Sequence, residues 1–180
     1  MTSMIRHAAP SHVEALATLA ALTFPLACPP GHTPENIADH IRQVLSAERF
    51  LEYVTSEDFD LSVASDDDRL MGYTLADYRA SNDPDVRSHL SNAGAYAELS
   101  KLYVHPDFHG AGIAQGLRDK ALADMALRKM DTAWLTVNQL NDRANSFYEK
   151  SGFTVIAEKK YRVGNVVDDD YLRVRKLNRG

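Results

Sequence analysis

Hydrophobic spacing divides the start of the chain into a strand and a helix. Residues 2–8 alternate polar and apolar side chains, which predicts a short first strand. Residues 13–22 carry apolar side chains at helical spacing and are rich in alanine, so a first helix is expected there. Its end and a following loop are predicted by Pro25, Pro29, Pro30 and Gly31.

A second helix is predicted from residue 33 onward. Thr33 can cap it, Pro34 suits its first position, and Glu35 places an acid in its first turn. One face of this helix would carry Ile37, Ile41, Val44 and Leu45. A further short helix is predicted at residues 50–54.

The spacing then changes to that of strands alternating with helices. Strands are predicted at residues 60–64, 70–78, 96–104, 132–137, from 152 onward, and at 171–177. Helices are predicted at residues 114–130 and 143–151. The polar segment 81–92 predicts a mobile loop, and the triplets 66–68 and 168–170, all aspartate, predict turns rather than metal sites. This βααβββαβαββ order is typical of an α/β (α+β) fold with a mixed sheet flanked by helices.

Length and composition fit one domain spanning residues 1–180. The chain is 44% hydrophobic and 25% charged, within the range of globular proteins. A net charge of −5 argues against nucleic acid as a partner, and no apolar run has the length of a membrane span. The amino terminus lacks a signal-peptide pattern, and Cys28 is the only cysteine, so a cytoplasmic location is expected.

The segment from Leu102 to Gly116 suggests a phosphate-binding loop. A strand ends at Val104, and Gly110 and Gly112 then open a helix whose free N–H groups would bind phosphate oxygens. A tight turn that binds nothing is the simpler alternative. A dinucleotide-binding loop is rejected because Gly116 falls one residue late for G-x-G-x-x-G, and the Gly-Lys-Ser/Thr ending of a nucleotide loop is missing. Because Pro106 separates His105 from His109, the two cannot share a helical face as a zinc pair would, and no metal is expected.

A second segment, Asn141-Asp142-Arg143-Ala144-Asn145-Ser146-Phe147-Tyr148-Glu149-Lys150-Ser151-Gly152-Phe153, separates these alternatives. Together the two segments resemble the GCN5-related N-acetyltransferase (GNAT) superfamily. The first is similar to its acetyl-CoA motif Gln/Arg-x-x-Gly-x-Gly/Ala, and the second to its Asn-x-x-Ala-x-x-x-Tyr-x-Lys-x-Gly-Phe motif. One position departs from the pattern, because His109 stands where the family has Gln or Arg.

The resemblance implies a single-domain GNAT fold with a mixed, mostly antiparallel central sheet, and acetyl-CoA as co-substrate without a metal. The strand Leu102-Tyr103-Val104 would hydrogen-bond the pantetheine arm through Leu102 and Val104, as an added strand does. The pyrophosphate would be surrounded by His109, Gly110, Ala111, Gly112, Ile113 and Ala114. Asn141 and Tyr148 would lie near the thiol; a helix cap is the alternative for Asn141.

Two residues are the candidate catalytic groups. Tyr148 is the candidate general acid for the departing thiolate, with core packing as its structural alternative. Glu98 is the candidate base that deprotonates the amine, and on a regular strand it would share a face with Ser100, Leu102 and Val104. A solvated or ion-paired carboxylate, with a water chain as the base, is the alternative for Glu98. A backbone N–H after a bulge in this strand would stabilise the thioester oxygen.

The acceptor is expected to be a small amine. Residues 97–104 and 163–172 look similar to a bacterial branch that contains PaiA-like polyamine acetyltransferases, which implies a cationic small-molecule acceptor. The resemblance places the acceptor site at about residues 24–57 and 80–92, and implies a homodimer. A peptide or protein N-terminus as acceptor, or a non-catalytic acyl-CoA-binding module, are the alternatives.

Overall fold

The computed structural model describes residues 3–67 and 69–178. In this part of the chain the strands are β1 (Met4–His7), β2 (Phe59–Asp66), β3 (Arg69–Asp77), β4 (Tyr96–Val104), β5 (Thr132–Asn138), β6 (Thr154–Val163) and β7 (Val166–Lys176). The helices are α1 (Val13–Ala27), α2 (Pro34–Val44), α3 (Ala47–Thr55), α4 (Pro84–His89), α5 (Ile113–Leu127) and α6 (Asp142–Lys150). The short 3-10 helices Pro10–His12 and Pro106–Phe108 lie before α1 and α5. Thr2, the predicted start of the first strand, lies outside the described residues.

The seven strands form one sheet in the order β1-β2-β3-β4-β5-β7-β6. Neighbouring strands are antiparallel except for β4 and β5, which are parallel. The prediction of a mixed, mostly antiparallel sheet flanked by helices is therefore confirmed. The parallel pair lies in the middle of the sheet, between an amino-terminal and a carboxy-terminal antiparallel part.

Apolar side chains pack on both faces of the sheet and fix the positions of β3, β4 and β5. On one face, Leu16 of α1 and Phe50 of α3 are fully buried with Tyr73 of β3. On the other face, Met125 of α5 packs in a cluster with Leu135 of β5. Burial of these side chains supplies most of the free energy that holds the sheet between its helices.

The predicted start of α2 is confirmed. The Thr33 hydroxyl accepts a hydrogen bond from the Asn36 N–H at 3.2 Å, and Pro34 occupies the first turn. The start of α1 is also as predicted, but the helix continues through Pro25 to Ala27. The prediction that Pro25 ends the helix is wrong, because a proline in the last turn removes only one backbone hydrogen bond.

The segment 81–92 is not a loop throughout, because it contains α4. Asp83 caps this helix by accepting a hydrogen bond from the Asp85 N–H at 2.9 Å. Val86 and Leu90 are buried in a cluster that includes Trp134 of β5. Two apolar residues four positions apart in a short polar segment give a weak pattern, so the helix depends on this tertiary packing.

The triplet 168–170 lies inside β7, and the prediction of a turn there is wrong. The turn falls earlier, at Gly164, whose φ is 61°. Hydrogen bonding of β7 to both β5 and β6 outweighs the low strand propensity of aspartate. The other predicted turn is correct in place, since β2 ends at Asp66 and Asp67 has a φ of 49°, while Asp68 lies outside the described residues.

None of the helices formed by residues 3–67 and 69–178 combines the length and apolarity needed to cross a membrane.

Candidate active site

A cavity opens where β4 and β5 separate. The two strands pair only between Tyr96–Glu98 and Thr132–Trp134, whereas β4 continues to Val104 beside β3. Beyond Glu98, one edge of β4 therefore has no neighbouring strand. A cavity of about 580 Å³ occupies this gap, bounded by the starts of α5 and α6, the end of α1 with its following loop, and the β6–β7 hairpin. This volume is in the range of small-molecule sites.

The free edge of β4 presents backbone groups to the cavity. The His105 N–H donates to the Met71 carbonyl at 2.8 Å, so Val104 opposite Gly72 is a non-hydrogen-bonded pair of the β3–β4 ladder. Hydrogen-bonded and non-hydrogen-bonded pairs alternate along an antiparallel ladder, so Leu102 opposite Thr74 is also a non-hydrogen-bonded pair. The N–H and C=O groups of Leu102 and Val104 therefore point away from β3, which is the arrangement required for pairing with an extended ligand.

Two glycines shape the loop between β4 and α5. Gly110 and Gly112 have φ values of 83° and 78°, a conformation that side-chain-bearing residues rarely adopt. Gly112 is also the N-cap residue of α5 and provides no side-chain hydrogen bond to the helix. The predicted glycine-dependent turn into the helix is confirmed.

The amides of this loop are only partly used by the protein. Those of His109 and Ala111 donate to carbonyls of the preceding 3-10 helix, at 3.2 and 3.3 Å. Within the described part of the chain, the amides of Gly110, Gly112 and residues 113–114 have no hydrogen-bond acceptor. Unpaired N–H groups at the positive end of a helix dipole suit the oxygens of a pyrophosphate.

His109 braces this loop through its side chain. Its Nε2 lies 3.0 Å from the Val104 carbonyl oxygen and its Nδ1 lies 2.7 Å from Nη1 of Arg143. Because a guanidinium can only donate, Nδ1 accepts and Nε2 donates its proton to the carbonyl. Both ring nitrogens are therefore bonded to protein atoms, and a phosphate contact of this side chain stays a prediction. Arg143 lines the cavity and adds a positive charge beside the loop.

Asn141 caps α6, which is the alternative that the sequence offered to a cofactor contact. Its Oδ1 accepts a hydrogen bond from the Ala144 N–H at 3.1 Å. The residue also lines the cavity, so the cap leaves its contact with a cofactor as a prediction.

Tyr148 projects from α6 to the cavity. Its ring packs between Phe147 and Phe153, with centroid separations of 5.3 and 5.8 Å. Its hydroxyl makes no hydrogen bond to any described residue, and the residue lines the cavity. Burial raises the pKa of this phenol, so it stays protonated at physiological pH. A protonated, unpaired phenol can donate a proton, and the ring is at the same time part of the core.

A β-bulge at Ser100 sets the direction of Glu98. Glu98 lies opposite Asp77 and Lys101 opposite Leu75, so Ser100 is the extra residue on β4. Since Leu75 and Asp77 share one face of β3, Glu98 and Lys101 share the same face of β4. The prediction that Glu98 shares a face with Ser100, Leu102 and Val104 is wrong for Leu102 and Val104, because the bulge reverses the alternation between Glu98 and these two positions.

Glu98 and Lys101 both ionise near neutrality in this site. Burial raises the pKa of Glu98 to about 7, while the positive charge of Lys101 opposes this increase. Burial lowers the pKa of Lys101 to about 8. Its Nζ lies 3.3 Å from the Ser100 hydroxyl and 5.4 Å from the centroid of the Tyr53 ring. A carboxylate that titrates near pH 7 has the ionisation expected of a general base.

A stacked pair of aromatic rings lies on the α1 side of the cavity. Phe24 and His40 stack with a centroid separation of 4.4 Å and an interplanar angle of 10°. Burial lowers the pKa of His40 to about 4, so its ring is neutral. Phe24 lies at the start of the predicted acceptor region, whereas no residue of the predicted segment 80–92 lines the cavity.

The β6–β7 hairpin forms the opposite wall. Tyr161 lies opposite Asp168 in the hairpin ladder, and Asp170 follows two residues later on the same face. The His32 Nε2 lies 2.8 Å from Oδ2 of Asp168, which joins this wall to the loop after α1. Sequence reasoning did not assign these residues to the site. In a strand, Asp168 and Asp170 point to the same side, and this pattern could have indicated an acidic wall. It was missed because the triplet was interpreted as a turn.

Comparisons with known proteins agree with this architecture. Residues 28–167 match the acetyltransferase (GNAT) domain family. A protein of Mycobacterium tuberculosis named as an uncharacterized N-acetyltransferase is 41% identical over 164 residues, which cover 91% of this chain and 97% of that protein.

Two solved structures show the same fold. The PaiA N-acetyltransferase of Thermoplasma acidophilum, in complex with coenzyme A, has a TM-score of 0.79 at 23% identity and covers 98% of this chain and 99% of its own. NAA60 of Arabidopsis thaliana, in complex with a bisubstrate analogue, has a TM-score of 0.76 at 19% identity, with 98% and 100% coverage. The free amides of the glycine loop and the unpaired edge of β4 fit coenzyme A as the ligand of this cavity. The chain belongs to the GNAT family of acetyltransferases and is an acetyl-CoA-dependent N-acetyltransferase.

Proposed function

We propose that the enzyme transfers the acetyl group of acetyl-CoA directly to a primary amine of a small cationic molecule. The observation that carries this proposal is that one cavity joins the glycine loop, the free edge of β4, Glu98 and Tyr148. A cofactor held by the glycine loop and by the edge of β4 would therefore place its thioester beside Glu98 and Tyr148.

The cofactor would be held mainly by backbone groups. We assign the pyrophosphate to the loop of residues 109–114, where the free amides of Gly110, Gly112, Ile113 and Ala114 would donate to it, with Arg143 as a neighbouring cation. Leu102 and Val104 would hydrogen-bond the pantetheine arm through the groups that point away from β3, of which the Val104 carbonyl also accepts a hydrogen bond from His109. These contacts need few particular side chains, in keeping with the apolar and small residues of this segment.

Glu98 would act as the base and Tyr148 as the acid. Glu98 accepts a proton from the acceptor ammonium, and the amine nitrogen then attacks the thioester carbon. N–H groups around the bulge at Ser100 would stabilise the negative charge that develops on the thioester oxygen. The carbon–sulfur bond breaks as the oxygen re-forms its carbonyl, and Tyr148 donates its proton to the departing thiolate. The acetylated nitrogen then gives up its remaining extra proton, which restores the phenol of Tyr148. The products are the acetylated amine and coenzyme A.

The acceptor end of the cavity favours a small cation over a peptide. Asp168, Asp170 and Glu98 together carry more negative charge than the neighbouring Lys101 offsets, whereas Arg143 is bonded to His109 of the glycine loop. The contact between His32 and Asp168 joins the loop after α1 to the hairpin, and the contact between Asn36 and Asn165 at 2.7 Å joins the start of α2 to it. A peptide that extended beyond its first residues would need an opening in this wall.

A thiol-release assay tests this proposal. Purified protein with acetyl-CoA is offered polyamines, amino acids, aminoglycosides and short peptides, with Glu98→Gln as the inactive control. We expect release of coenzyme A with small cationic amines and little with peptides. A clear preference for peptides would contradict the proposed acceptor, and coenzyme A binding without release for any amine would indicate a binding module.

A further inference from the structure

Asp168 and Asp170 present two carboxylates to the cavity from one strand. They are two residues apart on β7, and Asp170 is only 5% exposed. Asp169, between them, faces outward and pairs with Lys160. The acidic pair thus lines the same cavity as Glu98, on the wall that the β6–β7 hairpin forms.

Within residues 3–67 and 69–178, the protein provides a hydrogen-bond partner for the carboxylate of Asp168 but not for that of Asp170. Asp168 is bonded to His32, whose side chain is 1% exposed. Oδ1 of Asp170 is fully buried and has no hydrogen-bond partner among the described residues. Lys159 lies opposite Asp170 on β6, but its ammonium pairs with Asp83 at the start of α4. The lysine nearest in the ladder is therefore already engaged.

An unpaired buried carboxylate is unfavourable, and a bound cation would relieve this. Burial raises the pKa of Asp170 to about 6, with the charge of Asp168 adding to the effect. At neutral pH the group is thus mostly ionised although it lacks a partner. An ammonium group of a ligand can donate three hydrogen bonds and neutralise the charge.

Tyr161 connects this carboxylate to the reaction centre. It lines the same cavity as Glu98 and Asp170 and lies opposite Asp168 in the hairpin ladder. Burial is the main cause that raises its pKa to about 12, and the charges of Glu98 and Asp170 add to this increase. A flexible chain from the amine at Glu98 to Asp170 would therefore run beside this ring. An aromatic face suits both methylene groups and ammonium groups.

We propose that Asp170 binds a second ammonium group of the acceptor, so that the enzyme acetylates one amine of a small diamine or longer polyamine in preference to a monoamine. This inference rests on the proposed function, because it assumes that the amine attacked beside Glu98 belongs to a small molecule. It adds a specificity-determining residue to that site, with Tyr161 lining the path between the two amines.

The test compares diamines with monoamines of the same chain length. α,ω-Diaminoalkanes of three to six carbons and the matching alkylamines are assayed by thiol release with the wild type and with Asp170→Asn. The wild type should show a kcat/KM about tenfold or more higher for the best diamine than for its monoamine, as expected for one charge-assisted hydrogen bond. Asp170→Asn should lose most of this preference, because its kcat/KM should fall about tenfold more for the diamine than for the monoamine, mainly through a higher KM for the diamine.

Two controls separate the possible results. Asp169→Asn, on the outward face, should retain the wild-type preference. Coenzyme A affinity confirms that each variant is folded, and Asp170→Ser replaces Asp170→Asn if that variant does not bind coenzyme A. A wild type without a diamine preference, or an Asp170→Asn that keeps the full preference, would overturn the role of Asp170 while leaving amine acetylation intact. No thiol release with any amine would instead overturn the proposed function itself.

Discussion

Glu98 and Lys101 point to the same side of β4 although three positions separate them, because Ser100 is the extra residue of a bulge. On a regular strand the two side chains would lie on opposite faces of the sheet. The bulge therefore places a cation close to the candidate base, where its charge lowers the pKa that burial raises. The pH at which the base becomes active depends on this pair.

Replacing Lys101 should move the pH dependence of the reaction. In Lys101→Met the opposing charge is lost, so the pKa of Glu98 should rise further above its value of about 7. Because the base works when deprotonated, the acid limb of the kcat–pH profile should shift to higher pH, and activity at pH 7 should fall more than activity at pH 9. Lys160→Met, at an exposed site on β6, should leave the profile unchanged. An acid limb that stays in place in Lys101→Met would show that these two charges do not interact in the active enzyme.

Glu98→Gln should lower activity and increase stability. Loss of a general base lowers kcat by about 10²–10⁴-fold and should remove the acid limb near pH 7. Since the folded state raises the pKa of Glu98 from 4.5 to about 7, the native protein loses stability as pH rises between these values. The variant lacks this loss, so at pH 8 it should be more stable by on the order of 1–3 kcal/mol.

Thermal unfolding at two pH values measures the second effect. The melting temperature of Glu98→Gln should exceed that of the wild type at pH 8, and the difference should become smaller at pH 5. An equal difference at both pH values would mean that the ionisation of Glu98 does not contribute to it.

Tyr148→Phe should separate turnover from cofactor binding. Removing the hydroxyl keeps the ring packing with Phe147 and Phe153, so the fold and the affinity for coenzyme A should be nearly unchanged. The kcat should fall by about 10²-fold if this phenol protonates the thiolate. Calorimetry with coenzyme A and thiol-release kinetics give the two quantities. Wild-type kcat in this variant would leave Tyr148 with its structural role alone.

Much of the fold and of the cofactor end of the site could be predicted from the sequence because their signals are local. Gly110 and Gly112 predict positive φ angles at the start of a helix, and both have them. The acceptor end depends on contacts between distant segments. The direction of Glu98 depends on a bulge that no local pattern marks, and the role of Asp170 depends on β7 being paired on both sides. Such tertiary pairing overrides local propensity.

Helix α4 also depends on contacts between distant segments rather than on a local pattern, and a core substitution tests this dependence. Leu90 is 1% exposed in the cluster around Trp134, so Leu90→Ala should destabilise the protein by about 2–4 kcal/mol. Ser88→Ala, at an exposed position of α4, should change stability by less than about 0.5 kcal/mol. Chemical denaturation measures both variants. Equal and small effects would mean that residues 81–92 are a loop in solution, as the sequence alone predicted.

The glycine loop offers the most direct test of cofactor binding, because the chain contains a matched control. Gly112 and Gly152 have nearly equal φ values, 78° and 82°, and an added Cβ would meet no atom closer than 3.5 Å at either site. Valine should therefore produce similar backbone strain at both positions, about 1–2 kcal/mol. Only Gly112 lines the cavity, at the first turn of α5.

Gly112→Val should weaken coenzyme A binding by at least tenfold, because relaxation of its φ angle turns the neighbouring amides away from the pyrophosphate. Gly152→Val should lower the melting temperature by a similar amount and keep the wild-type affinity. Calorimetry with coenzyme A and thermal unfolding of both variants give the comparison. Equal loss of affinity in the two variants would attribute it to general destabilisation, and no loss in Gly112→Val would mean that the amides of the loop do not hold the cofactor.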